Sequence, residues 1–396
     1  MNEKQLEAFY FAKNRNNIFI TGSAGTGKSY TIKKIIEYFE SNNINYGLTA
    51  LTGCAASLIN GQTLHSFLYL GINNNLDYIY KNLCKYTPQL NKLKKLDVLI
   101  IDEISMMNNE LFELINDLFK LIKGNDRLFG GIQLILIGDF YQLPPITGNY
   151  CFTSPLWEDM GLKTIILNEL IRQKDDIKLQ EILEQIREGK LSDENFEILK
   201  DLKDTKFTNH VKPTKLFPVN INVDKINKRS FEKLVKLNNN EIKTYKAYSK
   251  TKIDKLESFD IDLTLNAQIM ITRNISVENH IINGTRGVIV ELKEKSVLIK
   301  DINNNIHEIN YYTDLINNKK NYICFLPIKL AYAISIHKSQ GASIDCIEID
   351  LGDDIFVSGQ TYTALSRATN INNIRIINIE RNSFFINKKI LEFYKK

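Results

Sequence analysis

Three short stretches of this chain carry residues suited to a nucleoside triphosphate. Gly22, Ser23, Ala24, Gly25, Thr26, Gly27, Lys28 and Ser29 match the pattern G-x-x-x-x-G-K-[ST]. An apolar run at 18–20 precedes them, and Ile32, Ile35, Ile36 and Phe39 follow at helical spacing. In that strand-loop-helix context backbone N–H groups cradle phosphates, and the helix N-terminus adds partial positive charge. Lys28 is expected to reach the β- and γ-phosphates and Ser29 to ligate Mg²⁺. Asp102 and Glu103 end the apolar run LDVLII. A carboxylate at the tip of a buried strand costs free energy unless it is paired or metal-bound. Asp102 therefore suits Mg²⁺, reached through water, and Glu103 suits the general base that orients an attacking water.

The third stretch is LIGDFYQLPPI, residues 136–146. Pro144 and Pro145 stop both helix and ladder, because proline lacks a donor and restricts the residue before it. A buried strand thus delivers Asp139 and Gln142 into an irregular segment at its carboxyl end, where open parallel sheets bind ligands. Both are expected to sense the γ-phosphate, Gln142 through a hydrogen bond that hydrolysis would break. Arg172 in ELIRQKD and Arg367 in ALSRATN lie outside the first expected domain. A guanidinium reaching in from a second domain would stabilise charge on the transferring phosphate and couple hydrolysis to closure.

Buried parallel strands must position these tips. LDVLIIDEIS and IQLILIGD are continuous apolar runs of strand length, as strands covered on both faces read. YGLTALTG offers another short strand, and NELFELINDLFKLIK a helix, so strands and helices alternate in an α/β order with a parallel sheet. The first domain is expected over residues 1–165. Helical pattern follows to about 210, and PTKLFPVNINVDKINKRSFEKL reads as strand then helix. Residues 263–324 change to short, partly alternating segments with a turn signal at Asn283-Gly284, the texture of a small β-barrel insertion. Residues 166–262 and 325–396 would form the second large domain.

Composition sets bounds rather than roles. With 396 residues, 43% hydrophobic and 24% charged, the chain reads as two or three globular domains. No apolar run approaches the roughly 20 residues of a membrane span, and no signal or transit segment is visible. The five scattered cysteines read as reduced and intracellular, without structural zinc. A net charge of +5 permits a polyanionic partner without demanding one.

Taken in order, TGSAGTGKSY, LTGCAASLINGQTLHSF, LIIDEISMM, FGGIQLILIGDFYQLPPI, LIRQKD, SIHKSQGASID and GQTYTALSRA resemble the Pif-one family of superfamily-one DNA helicases, in its RecD-like 5′-to-3′ branch. The resemblance implies two RecA-like P-loop domains with ATP between them, single-stranded DNA across their top, and an SH3-like barrel as the insertion at 263–324. It makes Gln5 the adenine-reading glutamine, Gln142 the coupling glutamine, Arg172 and Arg367 the arginine fingers, and Gln340 a contact on the γ-phosphate side. Thr52, Gly53, His65, Phe67, His337 and Lys338 become the DNA contacts. For these, hydroxyls, backbone amides and a lysine suit phosphates, while His and Phe faces suit bases. Residues 72–95 would form the wedge that splits the duplex. Asn266 departs from the family, which usually has Gly there.

The function so implied is an ATP- and Mg²⁺-dependent helicase, moving 5′ to 3′ and unwinding tailed or structured duplexes in replication, repair, recombination or telomere maintenance. It would act as a monomer on DNA, with replication or repair proteins as further partners, in the nucleus or the cytoplasm. A RecD-like or transposon-associated helicase subunit, or a DNA-binding ATPase switch that does not unwind, remain the alternatives; FGGIQ ahead of GDFYQLPP favours Pif-one over the former.

Overall fold

The computed structural model describes every residue except 71–74, 208–209, 219, 238, 240, 250–255, 277–278, 280, 317–320 and 396. The chain forms two compact units. The first comprises Met1–Asp193, Phe356–Ser366 and Arg381–Lys396; the second comprises Glu194–Ile355 and Arg367–Glu380.

Six parallel strands build the first unit: β1 (Ile18–Gly22), β2 (Tyr46–Ala50), β3 (Gln62–Thr63), β4 (Val98–Asp102), β5 (Gln133–Ile137) and β6 (Lys163–Leu167). Their order is β3-β2-β4-β5-β1-β6. Every residue of β1, β4 and β5 is buried, as the unbroken apolar runs require. One face packs Ile18, Ile20, Ile100, Ile135 and Ile137 against Ile32, Ile35 and Phe39 of the helix Lys28–Ser41. The order places β5 between β1 and β4. Because all three run parallel, their carboxyl ends set the phosphate loop, the GDFYQ segment and the acid pair side by side.

The far end of the chain completes this unit. Phe393, in the helix Lys388–Lys395, enters an aromatic cluster with Phe152 at 4.4 Å, Phe140 at 5.2 Å and Trp157 at 5.9 Å between ring centroids. The boundary expected at residue 165 is thus corrected to Asp193, and residues 356–366 and 381–396 move to the first unit. Local sequence pattern carries no signal for such a return, because the contacts span more than 200 residues. The expected wedge at 72–95 holds two helices, Leu76–Lys85 and Thr87–Lys94, and its residues 72–74 lie outside the described residues.

In the second unit, β7 (Thr214–Phe217) is followed by β8 (Lys243–Tyr245), β9 (Ile261–Leu263), β10 (Gln268–Ile271), β11 (Arg286–Leu292), β12 (Ser296–Asp301) and β13 (Ile306–Asn310). Then come β14 (Tyr312–Ile316), β15 (Asn321–Phe325), β16 (Ile328–Leu330), β17 (Ala333–Ser335), β18 (Ile347–Leu351) and β19 (Ile374–Ile379). The RecA-like sheet is parallel, β17-β7-β18-β19, and the SH3-like insertion carries the antiparallel sheet β13-β12-β11-β10-β16. The insertion's core joins Tyr245 and Leu263 to Ile269, Ile289, Val297, Ile309 and Ile328, so it is wider than the expected 263–324. Three-residue strands such as β8 are too short to show alternation. Asn266 takes φ +63°, the left-handed region that glycine occupies freely and asparagine tolerates, which accounts for the departure from Gly.

Candidate active site

The phosphate loop leaves β1 through Gly22 (φ +146°), Gly25 (φ +89°) and Gly27 (φ +87°), three conformations that side chains resist. Close packing adds a second reason. A Cβ on Gly25 would lie 2.5 Å from Cβ of Arg172, and one on Gly27 would lie 2.7 Å from Nε2 of Gln5. Gln5 is buried, its Oε1 accepting from the Asn2 N–H at 3.0 Å in the capping box of helix Glu3–Lys13. Lys28 donates to the carbonyls of Gly22 (2.8 Å) and Ser23 (3.0 Å). Burial pulls its pKa down, while Asp139, Glu103 and Asp102 oppose that. Ser29 is exposed.

At the tip of β4, Asp102 and Glu103 are each 8% exposed. Asp102 Oδ1 accepts the Glu103 N–H at 2.8 Å, and Glu103 sits at φ +56°. A non-glycine residue held there costs on the order of 1–3 kcal/mol, a strain typical of functional sites. Burial, then the Glu103 carboxylate, pushes the Asp102 pKa up to about 7. Two crowded, desolvated carboxyls beside a serine-ended phosphate loop suit a hard divalent cation that takes one or two carboxylates plus phosphate oxygens. Among the described residues no cluster of three or more acids, histidines or cysteines forms a protein-only cage.

The β5 tip resolves differently from expectation. Asp139 is fully buried, and Arg187 grips it with two hydrogen bonds, Nε to Oδ2 at 3.1 Å and Nη2 to Oδ1 at 3.3 Å. A carboxylate committed to such a fork is a counterion, which sets Asp139 apart from the phosphate-sensing expectation it shared with Gln142. Gln142 is 3% exposed, and its Oε1 has no partner among the described residues. Gly359 presses against it, since a Cβ there would lie 2.3 Å from the Gln142 carbonyl oxygen.

Three site residues went unmarked in the sequence. Arg187 lies over Tyr141 at 4.5 Å and Tyr394 at 5.8 Å from the ring centroids. Tyr394 stacks on Tyr141, its hydroxyl 2.9 Å from Thr21 Oγ1 and accepting the Phe140 N–H at 3.2 Å. Tyr362 accepts the Ala24 N–H of the phosphate loop at 3.0 Å. Tyr362 stands inside GQTYTALSRA, but one Arg at a helix end and one Tyr in a terminal helix give no pattern to read.

The arginines divide between the units. Arg172 belongs to the first, correcting its expected place in the second domain. Its N–H donates to the Gly25 carbonyl (3.3 Å) and its Nη1 to the Ser366 carbonyl (3.2 Å), with burial lowering its pKa. It therefore reaches the phosphate loop from the loop after β6, within one unit. Arg367 and Gln340 belong to the second, each 1% exposed.

Of the expected DNA contacts, His65 and Gly53 are exposed, and Thr52 caps the helix Gly53–Leu58 by accepting the Ala55 N–H. Phe67 is corrected. It is 2% exposed, covers Gly47 and lies 4.9 Å below the Lys92 ammonium, so its ring is core and offers no face to a base. In the second unit Lys338 is exposed; burial of His337 lowers its pKa.

The PIF1-like helicase family matches residues 2–197. The ATP-dependent DNA helicase Pif1 of Bdellovibrio bacteriovorus is 30% identical over 100% of this chain and 92% of its own length. Of animal and fungal relatives, the chain spans about three fifths, 60–61%. A crystal structure of Bacteroides sp Pif1 in complex with ADP-AlF4 has a TM-score of 0.85 at 25% identity, covering 100% of this chain and 96% of that one. Bacteroides Pif1 in complex with ADP-AlF3 and single-stranded DNA has a TM-score of 0.70 at 25% identity, with coverage of 100% and 96%. This chain belongs to the Pif1 family of ATP-dependent DNA helicases.

Proposed function

We propose that this protein is an ATP- and Mg²⁺-dependent motor that moves 5′ to 3′ along single-stranded DNA and unwinds tailed or structured duplexes. The observation that supports it most is the alignment of three strand tips: Lys28 in its glycine loop, Asp102 with Glu103, and Gln142 between them in sheet order. Each tip has the chemistry of one part of phosphoryl transfer.

Lys28 holds the β- and γ-phosphates. Ser29 and Asp102 would hold Mg²⁺, which when bound would supply positive charge to the phosphate oxygens. Glu103 takes the proton of the attacking water, and Gln142 loses its phosphate-side hydrogen bond on hydrolysis. Gln5 reads adenine. Arg172, in the first unit, and Arg367, in the second, supply the two guanidinium groups that stabilise charge on the transferring phosphate. Thr52, Gly53 and His65 hold the strand on the first unit, and His337 and Lys338 on the second, with Gln340 on the γ-phosphate side. Separating a base-pair step costs about 1.4 kcal/mol of stacking, so the motor biases fraying rather than forcing bonds apart. Polarity, the wedge at 72–95 and roles in replication, repair, recombination or telomere maintenance follow from the resemblance. Among the described residues no helix is long and apolar enough to cross a membrane.

ATP hydrolysis with and without single-stranded DNA tests the reading. DNA should stimulate the rate at least tenfold, and Lys28→Ala should abolish it; an unchanged rate in that variant removes the assignment.

A further inference from the structure

We propose that Arg286 is a positioning residue for Arg367, acting through residues 339–345. The inference rests on the assignment of Arg367 as an arginine finger. Arg286 opens β11 of the insertion and is 1% exposed. Its guanidinium serves three acceptors: Nε donates to Asp345 Oδ1, and Nη1 to the Lys212 carbonyl at 2.6 Å and to Thr214 Oγ1 at 3.1 Å. Thr214 begins β7 of the RecA-like sheet, and its N–H donates to the Cys346 carbonyl at 3.0 Å. One side chain of the insertion thus fastens both the sheet and the end of 339–345. The preceding turn makes the same contact through backbone, since a Cβ on Gly284 (φ +99°) would lie 2.6 Å from the Ser343 carbonyl oxygen.

Residues 339–345 in turn hold Arg367. Its Nη1 lies 3.4 Å from the carbonyl oxygens of Ser339 and Ala342, and its own carbonyl accepts the Ile344 N–H at 2.9 Å. The segment begins directly after His337 and Lys338 and includes Gln340. Arg286 therefore sets one end of a short stretch whose other contacts fix the finger. A misplacement of about 1 Å at a transferring phosphate costs on the order of 100-fold in rate. Only a planar fork with five donors can serve the three acceptors at once; a lysine supplies the charge without the fork.

The test is DNA-stimulated ATP hydrolysis by the full chain, read as kcat and KM separately, with the Kd for single-stranded DNA. Arg286→Lys should lower kcat about 10- to 100-fold, leaving KM for ATP and the DNA Kd within about twofold. In an Arg367→Ala background the same substitution should add nothing. Asp345→Asn keeps an acceptor at that position and guards against misfolding; it should give the same pattern at about 3- to 10-fold. Unchanged kcat in both variants overturns the inference, as does an equal further loss when Arg367 is already absent. An Arg367→Ala chain with parental kcat sinks the finger assignment itself, and this inference with it.

Discussion

Asp102→Asn should make the metal-free protein more stable at pH 8. In the folded chain the Asp102 carboxyl rises from its ordinary 3.8 to about 7, through burial first and the Glu103 charge second. A raised acid contributes stability that is full below about pH 4 and is lost as pH rises through about 7. Each pKa unit is worth 1.36 kcal/mol, so the folded chain at pH 8 carries a burden on the order of 4 kcal/mol. Asparagine keeps the shape and removes the charge. Urea denaturation without divalent ions should therefore find Asp102→Asn more stable by roughly 2–4 kcal/mol at pH 8, with the gap narrowing to less than half of that at pH 5. Adding Mg²⁺ with ADP should stabilise the parent and leave the variant nearly unmoved. Equal gaps at the two pH values, or a parent more stable at pH 8, would refute the reasoning.

Phe67→Ala should cost about 3–5 kcal/mol of stability as a core truncation, while fluorescence titration finds the DNA affinity of the folded molecule within about twofold. His65→Ala should do the reverse, keeping stability and losing about 1–3 kcal/mol of binding if a base stacks there. Arg187→Met strands a buried carboxylate and should cost about 3–5 kcal/mol in thermal or chemical denaturation. Adding Asp139→Asn to that variant should recover most of the loss; no recovery would mean the guanidinium works through its two tyrosines instead.

What could be read from the sequence follows how local each cause is. The phosphate loop, the acid pair and the apolar strands ahead of them were legible, because glycine spacing and continuous burial are properties of neighbouring residues. The closing proline pair marks the GDFYQLPP segment, yet nothing local distinguishes Asp139, bound by Arg187, from Gln142, whose side-chain oxygen has no partner among the described residues. Arg172 stands out as a residue, but its unit cannot be read locally, since the boundary at Asp193 depends on which helices pack where. Phe67 reads as a stacking face beside His65. Only packing against Gly47 and Lys92 shows it to be core. The tyrosines Tyr362 and Tyr394 reach the loop and strand β1 across more than 300 residues, a distance at which sequence pattern is silent.

Strand displacement on duplexes bearing a single-stranded tail at either the 5′ or the 3′ end, with ATP and Mg²⁺, tests the motor most directly. The 5′-tailed duplex should be unwound, the 3′-tailed one should not, and Lys28→Ala should unwind neither. Unwinding confined to the 3′-tailed duplex would contradict the polarity, and brisk DNA-stimulated hydrolysis without displacement of either would contradict the motor.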